Sequence, residues 1–205
     1  YGVSGDVSIK PTELPEALKR KATKHREMAN KRHYGASIST RPEIACIRLE
    51  EGHREVDTAV GKRAGEESVV FSLLEKNAKT YLAFRVPSKT SEAVMGPTAA
   101  LHDEYGENFS RIFKTITFDN GREFADSLGT KAFFAHPYTS WERPQNERRN
   151  GLFCAFVPKE ASIEVFSDED TLSAADELNG RPRKKLGYRT PEELFDAFLD
   201  AVFAA

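Results

Sequence analysis

Apolar and polar positions group into short β-like runs early in the chain and into helical stripes late in it. Residues 53–60 (HREVDTAV), the strongly apolar stretch at 68–75 and residues 79–86 each have strand length, and turn-like KRAGEE and Lys76-Asn77 separate them. That succession predicts an antiparallel meander. Residues 90–105 follow a helical pattern broken at Met95-Gly96-Pro97. Proline there removes a hydrogen bond and clashes with the preceding turn, at a cost of about 3 kcal/mol, so a kinked or split helix is expected. In ITFDNGREF, alternating apolar and β-branched residues end at Asn120-Gly121, which predicts a strand over 112–118, firm from residue 114. A short helix and a last strand at 131–135 should follow.

The segment WERPQNERRNGLFCAF lacks β alternation and reads as a helix with Leu152, Phe153 and Phe156 on its apolar side. Two further helices announce their starts. Ser167 and the acidic Asp168, Glu169 and Asp170 make a cap and a first turn that suits the helix dipole, and Asn179-Gly180 ends that helix. Thr190, Pro191 and Glu193 make a capping box ahead of Leu194, Phe195, Phe198, Leu199 and Val202 at helical spacing. That stripe should pack rather than hold a cofactor. The order of elements predicts an α/β fold: a mixed five-stranded sheet flanked by helices.

At 205 residues and 39% hydrophobic, the chain supports one substantial core plus an appended segment. Residues 1–40 are expected to form a basic N-terminal arm or linker, and residues 41–205 a catalytic-type core with C-terminal helices. A formal net charge of -2 does not announce a nucleic-acid binder, but the charge is unevenly spread. Residues 19–33 hold seven Lys or Arg against one Glu, and residues 181–189 hold a second basic cluster. Phosphate binding depends on such local patches; a solvated linker is the other reading of the first. Cys46 and Cys154 are far apart with no CxxC spacing, so neither a disulfide nor a zinc site is expected. No apolar run approaches membrane-spanning length and no signal-peptide pattern is present, which predicts a soluble, cytoplasmic protein with no membrane partner. The chain opens with Tyr1, which suggests a fragment or processed product.

Three acidic residues carry the candidate chemistry. Asp57 lies on an early strand, Asp119 at a strand tip, and Glu147 on a helix able to bring it towards those tips. Mg²⁺ takes hard oxygen ligands from a few carboxylates, water and substrate phosphate. Two such ions can activate an attacking oxygen and stabilise a leaving one at phosphorus. Taken alone, Asp119-Asn120-Gly121 is more often a simple turn.

The wider strings change that reading. GHREVDTAVGK, ITFDNGREFA, FFAHPYTSWERPQNERRNGL, VPK and LNGRPRKKLGYRTPEELF occur in one order along residues 41–195. Together they resemble the transposases of bacterial insertion-sequence family thirty. The resemblance implies a ribonuclease-H-like fold with an Asp-Asp-Glu triad that falls on Asp57, Asp119 and Glu147, holding two Mg²⁺ or Mn²⁺ ions. It implies DNA as partner, both element ends and target, a homo-oligomer on that DNA, and a bacterial, nucleoid-associated setting. It also implies that a DNA-recognising helix-turn-helix region belongs upstream. The sequence departs from the family where Arg54 replaces Trp, Pro144-Gln145 replaces Gly-Thr, and Arg148 replaces Asn.

Around the triad, Trp141 beside Arg143 and Asn146 offers a stacking ring among phosphate donors; Trp141 as a core anchor is the other reading. Asn150 lies three residues after Glu147, on the same helix side, and is a further DNA-binding candidate. Arg181, Arg183 and Lys184 resemble the family's RPRK segment and are read as DNA contacts, since guanidinium forks match phosphate geometry. His53 and His136 have no metal-ligand spacing and should serve as hydrogen-bonding supports. The function expected is metal-dependent DNA strand cleavage and strand transfer. The alternatives are a non-catalytic, transposase-derived DNA-binding remnant and a nuclease that only hydrolyses.

Overall fold

The computed structural model describes residues 35–60, 67–119, 130–136, 139, 142–158 and 161–205, the side chains of 59 and 60 excepted. Most of the expected basic arm, the short helix expected within residues 120–129, and Trp141 lie outside the described residues.

Five strands form one sheet: β1 (His53–Val60), β2 (Val69–Glu75), β3 (Tyr81–Val86), β4 (Thr115–Phe118) and β5 (Lys131–Phe134). Their order is β3-β2-β1-β4-β5. The first three pair antiparallel, while β1–β4 and β4–β5 are parallel. Helices flank the sheet: α1 (Glu43–Ile47), α2 (Ser91–Tyr105), α3 (Phe109–Ile112), α4 (Pro144–Phe153), α5 (Asp168–Asn179) and α6 (Pro191–Phe203). This is the mixed α/β, ribonuclease-H-like architecture that the element order implies.

The alternation of β2 explains the two-layered core. Val69, Phe71 and Leu73 join Val56, Ile116, Phe118 and the aromatic side chains of α3 and α6 on one face. Val70 and Leu74 join Tyr81, Ala83, Phe153 and the α5 residues Ala174, Ala175 and Leu178 on the other. A strand buried on both faces has no polar side to show, which is why this segment reads as nearly continuous apolar sequence. Ser72, and Glu75 at the strand's end, are the exceptions, and Ser72 marks the site described below.

Both predicted capping boxes form, at Ser167 with Asp170 and at Thr190 with Glu193. The α6 stripe packs Phe195, Phe198, Leu199 and Val202 into the core, as expected.

Four expectations are corrected. The helix over α2 is not split: it runs unbroken through Pro97. The carbonyl that Pro97 leaves without a donor belongs to Ala93, which is only partly covered, so water can satisfy it. Strand β3 starts at Tyr81 rather than at residue 79, because Lys79 takes a left-handed φ of 68° in a turn fastened to the Glu75 carboxylate by the backbone N–H groups of Asn77 and Ala78. Strand β4 starts at Thr115, because Phe109–Ile112 make a helical turn that stacks Phe109 on Phe113 at 4.5 Å. Finally, the buried face of α4 carries Asn146, Asn150 and Phe153, while Leu152 and Phe156 are partly exposed.

Among the described residues no helix is long and apolar enough to cross a membrane. Neither Cys46 nor Cys154 is in a disulfide.

Candidate active site

The parallel pairing of β1 with β4 brings two of the three candidate carboxylates together. Its register matches Glu55 with Thr117. Two residues past the last pair stand Asp57, on β1, and Asp119, just after the end of β4. Both residues therefore stand at the carboxyl edge of a parallel pair, the edge at which open α/β sheets bind ligands.

Their electrostatics agree with that closeness. Burial pushes the Asp57 carboxyl above its ordinary range, the Arg143 guanidinium pulls it back, and the negative charge of Asp119 pushes it up again. Asp119 is more open, with its side chain 53% exposed.

Helix α4 fixes both groups from the side. Arg143, at its N-terminal cap, is buried and donates from Nη1 to the Val56 carbonyl at 2.7 Å, just past the last β1–β4 pair. Its Nη2 lies 3.5 Å from Asp119 Oδ2. Two turns along the helix, Asn150 donates from Nδ2 to Asp57 Oδ2 at 2.8 Å. Its Oδ1 accepts from the Tyr81 hydroxyl at 2.8 Å and from the Ser72 hydroxyl at 3.3 Å. Burial drives the Tyr81 phenol far above its usual range, so it stays a neutral donor. Two hydroxyl donors on the oxygen leave only the amide nitrogen to face Asp57, and the direction of this amide is set by the network. The backbone N–H of Thr58 completes the Asp57 shell, 3.0 Å from Oδ1.

Glu147 lies on the α4 stripe between Arg143 and Asn150, four residues after one and three before the other. Its side chain is exposed. Among the described residues, no three His, Cys, Asp or Glu side chains are grouped so as to hold a metal ion. The pair alone still has the chemistry of a hard-cation site. Asp57 is a largely desolvated carboxylate with a second carboxylate beside it, a charge arrangement that a divalent cation relieves, and Mg²⁺ is commonly held by one or two carboxylates with water and phosphate supplying the rest. Asp57 and Asp119 fit such an ion. Glu147 is not brought into the same cluster.

The other candidates divide. Asn146 is fully buried with no hydrogen-bond partner for either amide atom among the described residues. Asn150 is buried in the network just described. Sequence spacing suggested both as DNA contacts, whereas the structure turns them inward to the sheet. Arg181, Arg183 and Lys184 line a surface groove on the flank of α4. His136 bonds the Glu142 carboxylate at 2.6 Å and Ser37 at 3.1 Å, and His53 is held by Thr115 and Glu50 at 2.9 Å each. Both histidines are structural supports, as expected. Glu142, the residue before Arg143, also accepts from the His136 backbone and the Thr139 hydroxyl.

Sequence reading missed Ser72 and Tyr81 as the groups that orient Asn150. The available signal was a lone hydroxyl in the middle of SVVFSLLEK, since a polar group in a doubly buried strand must have a partner.

Comparison with known proteins places this geometry in context. The chain is similar to the transposase for insertion sequence element IS1086 of Cupriavidus metallidurans, with 35% identity over 170 residues, 80% of this chain and 48% of that protein. It is similar to the transposase for insertion sequence element IS4351 of Bacteroides fragilis, with 32% identity over 169 residues, 80% of this chain and 50% of the relative. Transposase InsI for insertion sequence element IS30C of Escherichia coli matches at 30% over 168 residues, 79% of this chain and 42% of the relative. The chain thus spans about half the length of the curated relatives it matches. No family model matches it.

Proposed function

We infer, from the premise that this chain belongs to the insertion-sequence transposases of family thirty, that it is a transposase catalytic core acting on DNA. It cuts one strand at an element end and joins the freed end to a second site. The observation that carries this reading is that Asp57 and Asp119 both follow the paired segment of β1 and β4 and interact electrostatically, with α4 and its N-cap residue touching both.

In the first step a water oxygen attacks a phosphodiester phosphorus, and the bond broken leaves a 3′ hydroxyl and a 5′ phosphate. In the second, the 3′ hydroxyl oxygen attacks another phosphodiester, and the displaced strand leaves with its own 3′ hydroxyl. One phosphodiester replaces another, so neither ATP nor a covalent enzyme intermediate is needed.

Asp57 and Asp119 would hold a divalent cation, with Glu147 completing the set for a second. When bound, Mg²⁺ or Mn²⁺ supplies activation of the attacking oxygen and charge relief at the leaving one. The chain's own residues arrange the rest. Asn150 holds Asp57 in one rotamer, and Arg143 ties the end of β1 to Asp119. Arg181, Arg183 and Lys184 offer donors for phosphate, and residues 1–40 act as a basic arm leading into a core at 41–205. Pairing two element ends calls for a homo-oligomer assembled on DNA, in a nucleoid setting.

The test is strand cleavage of duplex DNA carrying an element end. Mg²⁺- or Mn²⁺-dependent cleavage by the wild type, lost in Asp57→Asn and in Glu147→Gln, is expected; undiminished cleavage by either variant refutes the assignment.

The exposed position of Glu147 favours one rival, a DNA-binding remnant without catalysis. A folded chain whose amide spectrum ignores millimolar Mg²⁺ while it still binds DNA would establish that rival.

A further inference from the structure

The flank of α4 turned away from the sheet borders a groove of about 560 Å³. Helix α4 contributes Arg148 and Arg149 to it. The segment joining α5 to α6 adds Arg181, Arg183, Lys184 and Lys185, and Arg48 and Lys79 come from two turns near the sheet. Eight cationic side chains and no carboxylate line it among the described residues, in a chain whose formal net charge is -2.

Glu177 offsets Arg181, whose Nη2 and Nε donate to its Oε1 at 2.8 and 3.3 Å; the crowding of the others is unfavourable unless an anion offsets it, and several details show that the fold maintains it. Arg183 donates from Nη2 to the Leu178 carbonyl at 2.6 Å, while its buried Nη1 has no described partner. Burial and the neighbouring Arg148 together hold its pKa down to about 10. Arg48 and Lys79 both sit at positive φ, 63° and 68°. Left-handed backbone at a side chain other than glycine is uncommon and costs about 1–3 kcal/mol. Three of the positions at which the sequence departs from its family, Pro144, Gln145 and Arg148, also lie along this groove.

The cations arrive from four separate segments, so they form a spread surface rather than a socket for one small anion. Five are arginines, whose forked donors match phosphate oxygens. No aromatic side chain is among the groove's described lining, and the neighbouring Phe156 ring is already covered by Arg181 at 5.5 Å, which leaves little platform for unpaired bases to stack on. We propose that this groove seats the phosphate backbone of a duplex DNA segment flanking the strand presented to Asp57 and Asp119, without regard to base sequence. The proposal rests on the transposase reading and gives it a second DNA-binding surface, on the opposite side of α4 from the carboxylates.

The test is fluorescence anisotropy with the full chain, two unrelated DNA duplexes, a single strand and an RNA duplex, without divalent cation and over a salt series. The wild type should bind both DNA duplexes alike and more tightly than the single strand or the RNA. Arg149→Glu with Lys185→Glu should weaken duplex binding by at least about tenfold and flatten the slope of log affinity against log salt by about 0.9 for each phosphate no longer neutralised. The milder Arg149→Gln with Lys185→Gln should flatten the slope equally with a smaller loss of affinity, which protects the test against misfolding of the reversed pair. Arg111→Gln, at an exposed cation of α3 outside the groove, should bind as the wild type does. Unchanged affinity and slope in both groove variants, or preference for single strands or RNA, overturns the proposal. Wild-type duplex binding that the groove variants weaken, without any divalent-dependent cleavage, upholds the groove while rejecting the catalytic reading.

Discussion

A single amide does much of the positioning at this site. Asn150 joins the Tyr81 and Ser72 hydroxyls to Asp57. Replacing it strands the buried Tyr81 hydroxyl, whereas the Ser72 hydroxyl keeps the Asp57 backbone carbonyl at 3.4 Å, and a buried polar group left without a partner costs about 1–3 kcal/mol. Asn150→Leu is therefore expected to lower stability by about 1–3 kcal/mol in denaturant unfolding, and to cut cleavage by more than that loss of folded protein explains. Asn150→Asp should lower activity while keeping most of the packing, because it sets a carboxylate against Asp57. Equal activity per folded molecule in both variants would contradict the positioning role.

Lys79 makes a second residue-scale prediction. Burial, with help from Arg48 and Lys76, pulls its ammonium down to about 8, against the opposing charges of Glu75 and Glu55. Its Nζ donates to the Lys76 carbonyl and, at 3.0 Å, to Gln145 Oε1. The unfolded chain holds this proton more tightly than the folded one, so its contribution to stability rises as pH climbs from about 8 towards the ordinary lysine value of 10.5. Phosphate in the groove favours the charged form, so duplex binding takes up a proton and weakens with alkalinity. Affinity is expected to fall roughly three- to tenfold between about pH 7 and about pH 9, and Lys79→Arg should flatten that profile.

At the scale of elements, the pairing of β1 with β2 contains an unusual solution. Arg54 and Glu75 face each other in register, both fully buried. The guanidinium lies 4.2 Å from the Phe113 ring and 5.1 Å from that of Phe195, and its three nitrogens have no described hydrogen-bond partner. Here an arginine fills an aromatic slot. Breaking a buried charge pair from one side typically costs about 3–5 kcal/mol, whereas replacing both members with neutral groups can be harmless. Arg54→Leu alone should therefore destabilise the chain by about 3–5 kcal/mol, and adding Glu75→Gln should recover part of the loss. Additive losses in the double variant would show that the two charges do not depend on each other.

The same strands show what the sequence made legible. The succession of five strands along the chain, both capping boxes and the α6 stripe follow from local chemistry, where each signal is carried by residues close in sequence. The inward face of α4 was not legible, because Asn146 and Asn150 are polar, and only the partners Ser72, Tyr81 and Asp57, far away in sequence, make burial of Asn150 favourable. Asp57 and Asp119 were each found from strand and turn patterns. Their adjacency depends on the β1–β4 register, which a parallel crossover sets through packing rather than through any local motif. Pro97 misled for the opposite reason: its local rule was sound, but a partly exposed carbonyl can turn to water.

For the whole molecule, α4 separates two kinds of surface. On one side a carboxylate pair is held in a network of amide, hydroxyl and guanidinium; on the other lies a groove whose charged lining is all cationic among the described residues. A polyanionic substrate spanning the helix would be gripped by charge on the groove side while a phosphodiester meets the carboxylates. The groove should dominate affinity and its salt dependence, and the carboxylates should dominate the response to divalent metal. The most direct test of the carboxylate pair is calorimetric titration of Mn²⁺ into the full chain, beside Asp57→Asn and Asp119→Asn variants of unchanged circular dichroism. Saturable binding by the wild type that disappears in both variants is predicted; matching isotherms for all three proteins, or no binding to the wild type with duplex DNA present, would contradict it.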